Sequence, residues 1–133
     1  SEILLHDTDL AKVASLSAAV RAQFPGIRVG AADGGTIETL NGVEGVVNCT
    51  PLGMVGRPGS PLPEGVSGAP VWGFDAVYTP AETRFRAQVE ALGGRFLSGW
   101  ELYFHQGLLA FEIFTGQSLG NPDWVRGVIT HKP

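Results

Sequence analysis

Cysteine is nearly absent: Cys49 is the single one in 133 residues. One thiol cannot close an internal disulfide, so the fold suits a reducing compartment such as the cytoplasm. Charge is also sparse, with 17% Asp, Glu, Lys and Arg and a formal net charge of −4. Scattered cations in a net acidic chain match a phosphate backbone poorly, which argues against a general nucleic-acid binder. No apolar run approaches the roughly 20 residues of a membrane span. Ser1 to Asp7 lacks the basic start, apolar stretch and cleavage site of a signal peptide. His6, His105 and His131 stand far apart with no second cysteine nearby, so no metal site is expected.

What is present is a globular composition. Hydrophobic residues make up 44% of the chain, which excludes disorder, and the length suits one domain. The 19 glycines and 9 prolines show no Gly-X-Y period, so they point to loops and close backbone approaches.

Strands and helices alternate along the chain. Ile3 to His6 reads as a strand with which the chain opens almost directly. Asp9 is a candidate N-cap for a helix to about Phe24, with Leu10, Val13, Leu16, Val20 and Phe24 at helical spacing. Pro25-Gly26 stops it, and Ile27 to Ala31 reads as a second strand. Gly34-Gly35 predicts a turn and Thr36 a cap for a helical turn over Ile37 to Leu40. Gly45 to Asn48 is a third strand, and Cys49 to Ser67 a loop rich in glycine and proline. Val71 to Phe74 forms a fourth strand ending at Asp75. Thr79-Pro80 opens a helix to about Leu92, because proline is favourable in a first turn. Arg95 to Ser98 is a fifth strand and Trp100 to Thr115 an apolar helix, with Leu102, Leu109 and Ile113 on its core face. A last helix starts after Asn121-Pro122. This order implies an α/β, Rossmann-like doubly wound fold with a mostly parallel sheet.

In such sheets ligands sit at the carboxyl ends of the strands. Those ends are Asp7, Asn48-Cys49-Thr50-Pro51, Asp75 and Ser98-Gly99. An acid at an early strand end can accept both ribose hydroxyls of an adenosine and repels a 2′-phosphate, so Asp7 favours NAD over NADP. The competing role for Asp7 or Asp9 is to cap the helix that follows. Cys49 has no basic neighbour in sequence and reads as a small core thiol. His105-Gln106, inside an apolar helix, is either an interior pair with polar partners or a face opening onto a polar substrate. Arg84 and Arg86 read as a solvated basic pair.

Taken together, three motifs resemble the shikimate/quinate dehydrogenase family. Val46-Val47-Asn48-Cys49-Thr50-Pro51-Leu52-Gly53-Met54 is similar to the family's (I/V)-(I/V)-N-A-T-P-x-G-M. Asp75-Ala76-Val77-Tyr78-Thr79-Pro80-Ala81-Glu82-Thr83 is similar to D-x-x-Y-x-P-x-x-T. Gly99 to Gly107, then Ala110-Phe111 and Thr115-Gly116, resembles G-x-x-M-L-x-x-Q-(A/G)-x-x-A-F-x-x-(W/F)-T-G. The resemblance implies that Asn48, Thr50, Leu52 and Met54 line the nicotinamide end of a cofactor site, that Ala76 and Leu102 flank it, and that Gly99 presents backbone to its amide. Tyr78 and Gln106 would reach the polyol acid substrate. Asp7 replaces the Arg by which NADP-dependent members hold the 2′-phosphate. Asp7-x-Asp9-x-x-Lys12 is similar to NAD-preferring members. Ala76 and Leu102 stand where Met is usual, and Cys49 stands for Ala.

The family's catalytic Lys and Asp lie in an amino-terminal substrate domain that these 133 residues do not contain. Ile3 to His6 matches the nucleotide domain's second strand, so the first strand and the glycine-rich turn are expected to be missing. The implied organisation is an incomplete dinucleotide-binding domain over 1–120 and a closing helix over 121–133 that packs on the absent domain. The implied function is the carboxyl-terminal half of an oxidoreductase using NAD, with NADP the alternative, on shikimate or quinate, and inactive alone. A homodimer is compatible with it. A non-catalytic sensor or repressor, or a related dehydrogenase with another substrate, is the competing reading.

Overall fold

The computed structural model describes residues 1–31, 37 and 39–130. The chain divides into two compact units, Ser1–Glu38 and Thr39–Pro133.

In the first unit, β1 (Glu2–Leu5) pairs in parallel with β2 (Arg28–Ala31), Ile3 opposite Val29 and Leu5 opposite Ala31. Parallel neighbours need a crossover, and α1 (Leu10–Gln23) supplies it. Asp9 caps α1 as expected, its carboxylate accepting from the amides of Ala11 and Lys12 at 3.0 and 3.4 Å. The far end is tied down by the Arg21 guanidinium, which donates to the Val29 carbonyl at 2.5 Å. The expected apolar face of α1 is only partly right. Val13 is buried, but Leu10, Leu16 and Phe24 are exposed and Ser17 is buried instead. A two-stranded ladder is too narrow to cover the whole apolar stripe, and the small Ser17 faces inward where Leu16 was expected.

In the second unit every strand pairing is again parallel, as the alternation predicts. β3 (Thr39–Leu40) pairs with β5 (Ser67–Gly68), and β4 (Gly45–Asn48), β6 (Trp72–Asp75) and β7 (Arg95–Leu97) form a sheet in the order β4-β6-β7. The helical turn expected over Ile37 to Leu40 is not formed, because Thr39 and Leu40 pair with Ser67 and Gly68. Ser67, expected in a loop, is therefore strand. Thr36 and the Gly34-Gly35 turn lie outside the described residues.

The core of this unit sits between β6, β7 and α2 (Arg84–Ala91), where Phe85 and Val89 are fully buried. Gly73 on β6 lets α2 approach, since a Cβ there would lie 2.9 Å from Val89 Cγ1. The Phe85 ring meets Phe96 edge to face at 5.9 Å. α2 begins at Arg84, four residues after the expected start at Pro80. The N-cap is Thr83, whose buried hydroxyl accepts from the Arg86 amide at 3.1 Å and donates to Asp75. A tertiary contact, not the proline, sets that boundary. Arg84 pairs with Glu64, and Arg86 with Glu82 and Glu90, so neither is an open phosphate clamp.

α3 (Gly99–Thr115) is capped by Ser98 and ends at Gly116, whose φ of 66° is left-handed. Its expected core face is wrong. Leu102, Leu109 and Ile113 are exposed, and Gly99 and Phe104 are the buried positions. A helix apolar nearly all round has no periodic signal for which face is covered. His105 and Gln106 are exposed as well, so they are not an interior pair. α4 (Pro122–Thr130) is joined to α3 by Arg126, which makes a two-pronged ion pair with Glu101 at 2.6 and 2.9 Å. The same guanidinium lies over the rings of Phe104 and Trp100, 4.1 and 5.1 Å from their centroids. His131 and the rest of the expected closing helix after Thr130 lie outside the described residues.

Candidate functional site

Register brings the first pair of site residues together. Asn48 and Asp75 are the last residues of β4 and β6, they stand opposite one another, and both are buried. A carboxylate taken out of water needs donors. Asp75 Oδ1 accepts from Asn48 Nδ2 and the Val77 amide, each at 3.0 Å, and Oδ2 accepts from the Thr83 hydroxyl at 2.7 Å. Thus oriented, Asn48 turns its own Oδ1 to the amide and hydroxyl of Thr50, at 2.9 and 2.7 Å. Its Nδ2 also donates to the Leu52 carbonyl at 3.1 Å. The strand exit at Thr50 to Leu52 is therefore fixed from below by a network that begins at Thr83.

Above that network lies a cleft of about 550 Å³ at the carboxyl ends of β4 and β6. Thr50, Met54, Ala76 and Tyr78 line it together with Cys49, Pro51, Val55, Val77 and Thr79. Cys49 is exposed, which corrects its expected place in the core. Strand alternation turns Asn48 inward and leaves the next side chain outside. Gly99, at the start of α3, packs against the backbone of Asp75 to Val77, two of whose residues line the cleft. A Cβ there would lie 2.5, 2.6 and 2.7 Å from the carbonyl oxygens of Val77, Asp75 and Ala76, so only glycine allows the helix to press on this segment.

In the first unit, Asp7 follows β1 and is half-buried. Its Oδ1 accepts from the Asp9 amide at 2.8 Å and the Thr8 hydroxyl at 3.4 Å. The Asp9 N–H holds the Asp7 carboxyl below the usual aspartate range, aided by the nearby charge of Lys12. Asp9 does the capping, so Asp7 is not consumed by it. No hydrogen bond to Asp7 Oδ2 is made among the described residues.

The chain is 34% identical over 116 residues to a quinate/shikimate dehydrogenase (NAD(+)) of Corynebacterium efficiens, 86% of this chain and 41% of that protein. It is likewise 34% identical to a shikimate dehydrogenase (NADP(+)) of Streptomyces avermitilis, over 86% of this chain and 39% of that one. The structure of quinate dehydrogenase from Corynebacterium glutamicum in complex with NAD superposes with a TM-score of 0.72 and 26% identity, over 97% of this chain and 46% of that chain. The chain is a relative of the shikimate/quinate dehydrogenases. It spans about 40% of the length of the curated relatives it matches. No protein-family model matches it. The fold shared with these dehydrogenases is Rossmann-like, with parallel strands and helical crossovers.

Four residues expected at a cofactor or substrate site, Thr50, Met54, Ala76 and Tyr78, share the cleft. Asn48 lies beneath it, and Leu52 is tied to Asn48 through its carbonyl and is not part of the lining. Gly99 backs Asp75 to Val77, while Leu102 and Gln106 are exposed on α3 outside the lining. Sequence reasoning noted Asp75 as a strand end but missed that it and Thr83 hold the site. It also missed Tyr103, whose ring stacks on Tyr78 at 4.8 Å and 9°. An acid and a hydroxyl eight residues apart, across a strand exit and a helix start, was the available signal for the first. Among the described residues no group of three His, Cys, Asp or Glu could hold a metal ion, and no helix is long and apolar enough to cross a membrane.

Proposed function

We propose that this chain is the carboxyl-terminal, cofactor-binding part of a dehydrogenase that transfers hydride between NAD and the ring alcohol or ketone of shikimate or quinate. The observation that carries the reading is the cleft at the carboxyl ends of β4 and β6, built from the residues that motif resemblance assigns to the nicotinamide site. Bound NAD supplies the hydride acceptor.

The chain's own residues orient it. Thr50 and Met54 form one lip of the cleft and Ala76 the other, with Leu52 and Leu102 completing the assignment and Asn48 fixing Thr50 from below. The Gly99 backbone meets the cofactor amide, and Tyr78 and Gln106 meet the acid substrate. Asp7, with Oδ2 free of hydrogen bonds among the described residues, accepts the ribose hydroxyls and repels a 2′-phosphate.

Hydride transfer to or from a carbonyl also moves a proton. The reading assigns that step to a Lys and Asp in an amino-terminal substrate domain, and no catalytic residue to these 133. Residues 1–120 then make the incomplete nucleotide domain, and 121–133 pack on the substrate domain. Trp124, Val128 and Ile129, exposed on α4, support that packing. The reading further places the enzyme in the cytoplasm, in aromatic biosynthesis, and admits a homodimer.

Calorimetric titration of the full-length protein tests the cofactor assignment. NAD should bind at least about tenfold more tightly than NADP, because the 2′-phosphate meets the ionised Asp7. Tighter binding of NADP would overturn it.

A further inference from the structure

We propose that Tyr103 is a positioning residue that fixes Tyr78 for the substrate and so sets affinity for the polyol acid. The inference rests on the assignment of Tyr78 to the substrate. The two rings stack at 4.8 Å with planes 9° apart, yet both are about half exposed, so core packing does not force them together. Their backbones are locked a short way from the rings. Tyr78 follows Val77, whose carbonyl oxygen lies against Gly99, and Tyr103 is one helical turn beyond that glycine. The turn of α3 pressed on residues 75–77 thereby carries Tyr103 onto one face of Tyr78.

The consequence is a Tyr78 ring with one face covered by Tyr103 while the residue lines the cleft. Gln106 is three residues beyond Tyr103 and so on the same side of α3. Its amide makes no hydrogen bond among the described residues. A stacked phenol and an exposed carboxamide three residues from its stacking partner suit a ligand with several hydroxyls and a carboxylate. Without Tyr103, the phenol would sample other rotamers, and each binding event would have to order it again.

The test is steady-state kinetics on the full-length enzyme with Tyr103→Ala, Tyr103→Phe and Tyr78→Ala. Tyr103→Ala should raise KM for the acid substrate about threefold to tenfold, the range an aromatic pair is worth, and leave KM for NAD within about twofold. Tyr103→Phe keeps the ring and should restore KM for the acid. A raised KM in Tyr78→Ala with none in Tyr103→Ala would overturn the positioning role alone. A Tyr103→Phe as impaired as Tyr103→Ala would also overturn it, since the hydroxyl and not the stack would then matter. No effect from any of the three would overturn the substrate assignment of Tyr78 and the proposal with it.

Discussion

Asp75 shows how one side chain can organise a site without lining it. Its two oxygens gather an asparagine amide, a backbone N–H and a threonine hydroxyl, and each partner belongs to a different local structure: the β4 end, the strand exit and the α2 cap. Thr83 is the exchangeable member. Thr83→Ala removes both the helix cap and the bond to Asp75 Oδ2, and should cost about 1–3 kcal/mol in urea unfolding, while Thr83→Ser should keep most of it. Equal losses in the two variants would mean that the methyl, not the hydroxyl, carries the effect. Asp7 is the opposite kind of residue, half-buried and held only by its neighbours Thr8 and Asp9 among the hydrogen bonds of the described residues. Its lowered carboxyl stays ionised well below neutral pH, so NAD preference should persist down to about pH 5, above the ordinary aspartate value of about 3.9. Asp7→Asn should shrink the ratio of NADP to NAD dissociation constants by about tenfold in the same titration. An unchanged ratio would remove Asp7 from the ribose site. Sequence pointed to Asp9 as the cap but left Asp7 a competing candidate, because both are acids just before the helix. The bonds from the Ala11 and Lys12 amides to the Asp9 carboxylate decide it, with Asp7 accepting from the Asp9 amide instead.

Among the elements, strands were the more legible. Gly45–Asn48 and Trp72–Asp75 are short apolar runs closed by a polar residue, and parallel pairing places them where that pattern indicates. Helix faces were not legible, because α3 presents apolar residues on every side and pairing with α4 selects Phe104 and Trp100. The start of α2 was hidden for a related reason. Thr79-Pro80 has the local chemistry of a first turn, but Thr83 has the tertiary partner. The α3–α4 joint has a pH dependence that follows from its ion pair. The hydrogen bonds from Arg126 hold the Glu101 carboxyl below the ordinary glutamate range. A depressed carboxyl contributes stability fully above its unfolded value, about 4.3, and loses it as pH falls through the lowered value. Near-ultraviolet circular dichroism from Trp100, stacked on Phe104 at 5.5 Å, should therefore hold near neutral pH and weaken below about pH 4. Glu101→Gln should abolish that transition. A transition that survives in Glu101→Gln would locate the titrating group elsewhere.

At the scale of the molecule, the scarcity of cysteine and charge bore only on compartment and on nucleic-acid binding, the strand–helix alternation pointed to the fold class, and the motifs carried the functional proposal. Asn48, Asp75 and Gly99, far apart in sequence, meet at the strand ends of one unit. The central claim is that the protein bearing this chain oxidises a polyol acid with NAD. The most direct measurement is the appearance of reduced nicotinamide when the full-length protein is given NAD with quinate or with shikimate, and NADP in parallel. The account predicts turnover with at least one of the two acids, and a kcat/KM for NAD at least about tenfold above that for NADP. A folded, NAD-binding protein that turns over neither acid would contradict it, and would leave a sensor in the place of the enzyme.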